Sequence, residues 1–160
     1  MDTTAATLVV CAPVPGMAIA LGAVPDPVFA EAMVGPGAAV DPRREPQAAV
    51  SPIAGTLVKL KPHAFVVADG YGRGVLVHLG IDTVNLDGEG FELLAVEGQP
   101  VEPGTPVIRW NPAQVENGGM SPVCPVIALD AVAEAVSEVA LGPIEPCRPL
   151  FRWTGLSTAV

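Results

Sequence analysis

The chain has 160 residues, half of them hydrophobic, with 8 basic and 17 acidic side chains and a formal charge of −9. That length fits one domain with a core of its own, and 16% charge with a mean hydropathy of +0.47 excludes wholesale disorder. The acidic balance argues against a nucleic-acid or anionic-membrane surface, and 17 Gly with 18 Pro argue against a helical bundle.

At the start of the chain, Met1 to Thr7 lacks the basic segment of a signal peptide. No later stretch reaches the roughly 18 to 20 apolar residues of a membrane span. A soluble, cytoplasmic chain without membrane insertion is the expectation. Ala12-Pro-Val-Pro-Gly16 marks a strand entry, and Pro27 to Val34 reads as about two helical turns. Ser51-Pro-Ile-Ala-Gly55 marks a second entry. Thr56-Leu57-Val58, Ala64-Phe65-Val66-Val67, Gly74-Val75-Leu76-Val77 and Pro106 to Trp110 are short apolar runs of strand length. Asp69-Gly70, Gly72, Asp87-Gly88 and Pro103-Gly104 punctuate them. Asp130 to Leu141 predicts a second helix, with Asp130 as cap, Val132, Ala135, Val136 and Val139 along one side, and Gly142-Pro143 as its stop. Cys11, Cys124 and Cys147 are odd in number and lack framework spacing, which points to reduced thiols.

Two internal similarities bear on architecture. Ala12-Pro-Val-Pro-Gly16 and Ser51-Pro-Ile-Ala-Gly55 share one pattern, which Ser121-Pro-Val123 begins again. Pro100 to Trp110 recurs as Pro143 to Trp153, with Cys147 standing where Gly104 does. One supersecondary unit used more than once within a β core is the expectation.

The chain has two histidines, His63 and His78, on strands that flank the loop Asp69-Gly70-Tyr71-Gly72. A four-residue hairpin loop there pairs Ala68 with Arg73, Val66 with Val75 and Phe65 with Leu76, and sets His63 directly opposite His78. Directly opposed residues share a face with Cβ atoms roughly 4.5–5.5 Å apart. A one-residue slip sends them to opposite faces. Adjacent imidazoles disfavour charging of both. One can attack a phosphoryl group while the other donates to its oxygens. They can also supply two of the donors of a tetrahedral zinc, too few for a closed site. A cross-strand pair without chemistry is the plain alternative.

The run from Val77 to Phe91, Val-His-Leu-Gly-Ile-Asp-Thr-Val-Asn-Leu-Asp-Gly-Glu-Gly-Phe, resembles the signature of glucose-type IIA components of the bacterial phosphoenolpyruvate-dependent sugar phosphotransferase system. So do Ser51 to Gly55, Pro62-His63-Ala64-Phe65 and Val24-Pro25-Asp26-Pro27-Val28-Phe29-Ala30-Glu31. The likeness runs from about Val9 to Trp153. It implies a compact antiparallel β-sandwich or barrel with an internal repeat and one or two short helices, as one domain over residues 1–154 with a short tail, 155–160. It also implies a phosphocarrier. His78 would take a phosphoryl group on Nε2 from the histidine of HPr and pass it to a cysteine of a sugar-specific IIB domain, serving a IIC permease. His63 would orient the transferring group, and the Gly80 carbonyl would accept from His78 Nδ1–H. Asp82 follows in the same motif, as a turn or cap carboxylate, a catalytic one, or one that pairs with basic partner residues at the rim. Phe29, Met33, Val34, Phe65 and Val84 are the matching candidates for an apolar docking rim. The resemblance requires no cofactor. It admits a zinc held between His63, His78 and a partner carboxylate.

The sequence departs from the family in three places. Lys61 stands where many members carry a threonine that helps to orient the first histidine, and an ammonium cannot accept a hydrogen bond. No amphipathic N-terminal extension precedes the first strand, so membrane contact is expected only peripherally, through IIB and the permease. The tail after Trp153 is short, so IIB and IIC are expected as separate chains. Other readings carry less weight. A regulatory module that binds proteins through the same face would not need both histidines. A biotinyl or lipoyl carrier needs a lysine at an exposed hairpin tip, whereas Lys59 and Lys61 precede His63 on a strand. A zinc peptidase needs a third ligand and a general base.

Overall fold

The computed structural model describes residues 7–155, so the N-terminal reading and all of the expected tail except Gly155 lie outside the described residues. Its strands are β1 (Leu8–Cys11), β2 (Gly16–Ala20), β3 (Gly37–Pro42), β4 (Gln47–Val50), β5 (Gly55–Lys61), β6 (Ala64–Ala68) and β7 (Gly74–His78). They continue as β8 (Glu92–Leu93), β9 (Pro100–Val101), β10 (Pro106–Trp110), β11 (Cys124–Ala128), β12 (Val136–Ser137), β13 (Gly142–Ile144) and β14 (Pro149–Trp153). One sheet runs β13-β2-β3-β11-β7-β6-β5-β9, and two smaller ones run β1-β14-β12 and β4-β10-β8. Neighbouring strands pair antiparallel throughout. The architecture is the expected all-β sandwich.

Side chains alternate across a strand, so each strand of the large sheet serves two faces. Phe65 and Val67 on β6 and Val75 and Val77 on β7 face the main core, with Leu57, Ile108, Leu150, Phe151 and Trp153. Leu76 projects the other way, into a smaller cluster of Leu21, Val24, Ala39, Ile81 and Ile127 that also collects Phe29 and Val34. His78 follows Leu76 by two residues and so shares its face. The site is an outgrowth of the smaller cluster.

The internal repeat is real at the level of the backbone. Cys11 N–H donates to Pro52 O, and Val50 N–H returns a bond to Pro13 O, both at 2.9 Å. Ala12 donates its N–H to Arg148 O and accepts at its carbonyl from Cys147 N–H; Ser51 does the same with Thr105 O and Gly104 N–H. Gly104 and Cys147 occupy the same left-handed turn position, with φ of 94° and 71°. Gly16 and Gly55 are equivalent for a steric reason: a Cβ there would lie 2.0 Å from Asp41 O or 2.1 Å from Ala68 O.

Two helical expectations change. Pro27 to Val34 holds only α1 (Pro27–Ala30), capped by Asp26, whose side chain accepts from Val28 N–H. Asp130 to Leu141 is no helix: it contains a 3₁₀ turn at Ala133–Ala135 and β12. Asp130 and Glu138 adopt φ of 60° and 50°, a left-handed backbone that no right-handed helix contains. The apolar spacing of that segment serves a turn and an edge strand instead. A helix the sequence reading missed, α2 (Pro112–Asn117), starts at the Asn111 cap with Pro112 in its first turn.

A two-histidine candidate site

The hairpin between β6 and β7 is one residue tighter than expected. Asp69 N–H donates to Arg73 O, leaving a three-residue loop, Gly70 to Gly72, with Gly72 at φ 80°. Such loops place a left-handed glycine last. The ladder therefore pairs Ala64 with His78, Phe65 with Val77 and Val67 with Val75. The expected register, with His63 opposite His78, is corrected by one residue.

The imidazoles nevertheless meet, with ring centroids 5.1 Å apart and planes at 71°. The reason is that His63 is not on a strand. Lys61 pairs with Ala64, so Pro62 and His63 form a two-residue turn between β5 and β6. A turn residue is free of the alternation that would have sent a strand residue to the far face. Leu79 N–H donates to His63 O at 2.8 Å and fastens the turn beside the end of β7.

His78 is held from behind. Its Nδ1 lies 2.6 Å from Gly80 O, and since a carbonyl only accepts, Nδ1 carries the proton and Nε2 keeps its lone pair. Gly80 has φ of 84°, and a Cβ there would come within 2.7 Å of Thr83 Cγ2 and 3.0 Å of Ser121 O. Only glycine fits this bend. Thr83, fully buried, donates from Oγ1 to Leu79 O, and Ile81 N–H donates to Ser121 O. These bonds lock the segment that presents the Gly80 carbonyl. Thr83 and Ser121 appear in the sequence motifs, but neither was assigned to the site; a threonine within a signature run was the available hint for the first.

Both rings titrate below the ordinary imidazole value of 6.5. For His63, partial burial is the main cause, followed by the charges of His78 and Lys61. For His78, burial again dominates, offset by the Gly80 hydrogen bond and the carboxylates of Asp26 and Asp82. Neutral imidazoles at neutral pH are what nucleophilic attack by Nε2 needs. Asp82 is exposed in a left-handed backbone conformation and makes no capping bond. Its effect on His78 is one of charge. Asp26 acts in the same way and was not singled out from sequence; its signal is the Asp-Pro cap of α1.

The expected apolar rim divides. Met33 and Val84 are 67% and 55% exposed. Phe29 is half-buried and lies against His78 with ring centroids 5.3 Å apart, and Val34 is half-buried in the smaller cluster. Phe65 is corrected: it is 1% exposed and faces the main core, because β6 alternation turns it away from the histidine face. Val28, next to Phe29 on α1, is also exposed, at 42%. For zinc, the two imidazoles provide two of the four donors of a tetrahedral site. Among the described residues no group of three His, Cys, Asp or Glu side chains is arranged to hold a metal. A zinc at this pair needs ligands from beyond the described residues. Cys11, Cys124 and Cys147 are free thiols. Among the described residues no helix is long and apolar enough to cross a membrane.

A paired-histidine site on an antiparallel β-sandwich defines a class, and comparison with known proteins specifies it. Residues 8–133 match the family model of the phosphoenolpyruvate-dependent sugar phosphotransferase system, EIIA 1. A glucose-specific EIIA component of that system from Staphylococcus aureus (strain COL) is 39% identical over 122 residues, 75% of this chain and 72% of the relative. One from Staphylococcus epidermidis is 38% identical over 118 residues, 72% and 70% of the two chains. The solved glucose permease IIA from Mycoplasma capricolum superposes with a TM-score of 0.85 at 31% identity, covering 92% of this chain and 96% of that one. This chain belongs to the EIIA 1 family of the sugar phosphotransferase system, and its resemblance is to the glucose type.

Proposed function

We propose that this chain is a phosphocarrier that accepts a phosphoryl group on His78 Nε2 from phospho-HPr and passes it to the cysteine of a IIB domain. The observation that carries the reading is the 2.6 Å bond from His78 Nδ1–H to Gly80 O, which leaves Nε2 as the nucleophilic nitrogen beside His63. In the first step the N–P bond of the donor histidine breaks as the Nε2–P bond of His78 forms, and the donor ring, protonated at its other nitrogen, leaves as neutral imidazole. In the second a cysteine thiolate attacks phosphorus and His78 leaves as neutral imidazole. Transfer between two side chains needs alignment and charge stabilisation more than covalent help. A T-shaped second imidazole suits that role, donating to phosphoryl oxygens as charge develops.

The site also suits protein partners. Met33, Val84 and Val28 expose apolar surface that a docking protein can cover. In this reading the partners are HPr on one side of the relay and IIB with its IIC permease on the other, with the carrier cytoplasmic and at the membrane only through them. Zinc is a ligand of such a complex, completed by a partner carboxylate, rather than a resident cofactor.

The test is incubation with phosphoenolpyruvate, enzyme I and HPr. The chain is expected to gain one acid-labile phosphate, and His78→Gln is expected to gain none. His63→Gln is expected to take up phosphate yet pass it poorly to IIB. Phosphate on His78→Gln refutes the assignment of the nucleophile, and normal onward transfer by His63→Gln removes His63 from the mechanism.

A further inference from the structure

The strand register sets three residues in one row at the site. Lys61, the last residue of β5, pairs with Ala64 of β6, and Ala64 pairs with His78 of β7. Directly paired residues project from the same face, and neighbouring strands lie about 4.8 Å apart. Lys61 and His78 are thus two strand spacings apart, about 10 Å between backbones. The residue between them is alanine, whose methyl rises little above β6; it is buried beneath its neighbours. A lysine ammonium on its flexible four-carbon stem spans most of that interval. A phosphoryl group standing on Nε2 spans the remainder from the other side.

The charges around His78 make this cation consequential. Asp26 and Asp82 both act on His78, and both are carboxylates. His63 is held toward its neutral form. An incoming phosphoryl group, carrying about two negative charges, therefore meets an acidic surround. Lys61 is exposed, and among the described residues it makes no ion pair, so its ammonium is uncommitted. Lys59 lies on the same face but in the next row, opposite Val66, which is itself opposite Leu76. Of these two lysines, only Lys61 is in the row of His78.

We propose that Lys61 is a catalytic residue whose ammonium contacts the non-bridging oxygens of the phosphoryl group as it moves onto and off His78 Nε2. The inference rests on the carrier reading above. Lys61 forms no covalent bond and stays protonated throughout; it offsets the negative charge that Asp26 and Asp82 would otherwise repel. It works beside His63, which supplies a hydrogen bond without a full charge.

The experiment compares the wild-type chain with Lys61→Met, which keeps the stem and removes the charge, and Lys61→Arg, which restores a cation. Rapid-quench assays follow phosphate arrival from phospho-HPr. One charge-assisted contact predicts a fall of about tenfold or more in kcat for Lys61→Met. KM should stay within about twofold, and Lys61→Arg should recover most of the rate. A separate titration with inorganic phosphate, read from the imidazole NMR signals of the unphosphorylated chain, should saturate at lower concentration in wild type than in Lys61→Met. Rates for Lys61→Met within about twofold of wild type overturn the proposal, as does an effect confined to KM, which would make Lys61 a docking residue. Wild type that takes no phosphate overturns the carrier reading and this role with it. That outcome is visible before any Lys61 variant is made.

Discussion

The two turns that bound β6 are opposite in character. At the far end, Asp69 accepts hydrogen bonds from Tyr71 N–H, Arg73 N–H and Arg73 Nε–H at 2.9, 2.9 and 2.7 Å. Arg73 also donates to Gly155 O and lies 5.6 Å from the Tyr71 ring, and the Asp69–Arg73 pair is 8% and 3% exposed. Polar groups there are matched within the chain. At the near end, the backbone of Pro62-His63 is fastened by Leu79 N–H, while the His63 ring and the Lys61 ammonium face outward. A turn that satisfies itself closes a sheet. A turn that leaves donors and acceptors unspent has something to offer a partner.

Substitutions at the two ends should separate stability from transfer. The largest loss of stability is expected at the far end. Arg73→Met strands a buried carboxylate and should cost roughly 3–5 kcal/mol in a urea melt. Whatever fraction stays folded should still accept phosphate, because Arg73 is remote from the imidazoles; loss of acceptance by that fraction would couple the two ends. Next is the seam behind His78. Gly80→Ala forces a Cβ into Thr83 and Ser121 at a positive φ, and should cost roughly 1–3 kcal/mol. Unlike Arg73→Met, it should also slow phosphate uptake in folded protein by displacing the carbonyl that orients the ring. Unchanged uptake would free His78 from dependence on Gly80.

The smallest effect is on pH dependence. Folded His63 and His78 titrate below 6.5, whereas in the unfolded chain they titrate near it. Below 6.5 the unfolded state binds more protons, so their contribution favours folding above that pH and is lost as pH falls through it toward the folded values. The melting temperature should drop between about pH 7.5 and pH 5.5, and drop less in His78→Gln. An equal drop in both would show that this imidazole is not its source.

Much of this contrast was legible in the sequence. Pro and Gly placement marked the strands, the turns and the repeat, because proline fixes φ and glycine reaches backbone conformations that other residues avoid. The meeting of His63 and His78 was also foreseen, but through a register that the loop does not adopt. Asp69 is drawn into closing the ladder by its bonds to Arg73, which shortens the loop by one residue. That step depends on side-chain chemistry that no hydrophobic pattern records. The histidines still converge because Pro62 and His63 leave the strand. Phe65, assigned to the rim by resemblance alone, lies in the core because alternation along β6 puts it on the face opposite to Ala64 and His78. The segment Asp130 to Leu141 misled because its apolar spacing suits a helix, while Asp130 and Glu138 adopt left-handed conformations that local propensity does not require.

The chain has two tryptophans, and the repeat places both at equivalent strand ends, Trp110 closing β10 and Trp153 closing β14. Each indole is almost wholly buried, and its Nε1–H has no hydrogen-bond partner among the described residues. The molecule therefore carries its own optical probes, one in each three-stranded sheet and neither on the histidine face. Replacing one by phenylalanine leaves a single emitter that reports whether its half loosens first. Chemistry at His78 should leave that emission unmoved, so folding and phosphoryl transfer can be watched independently in one cuvette.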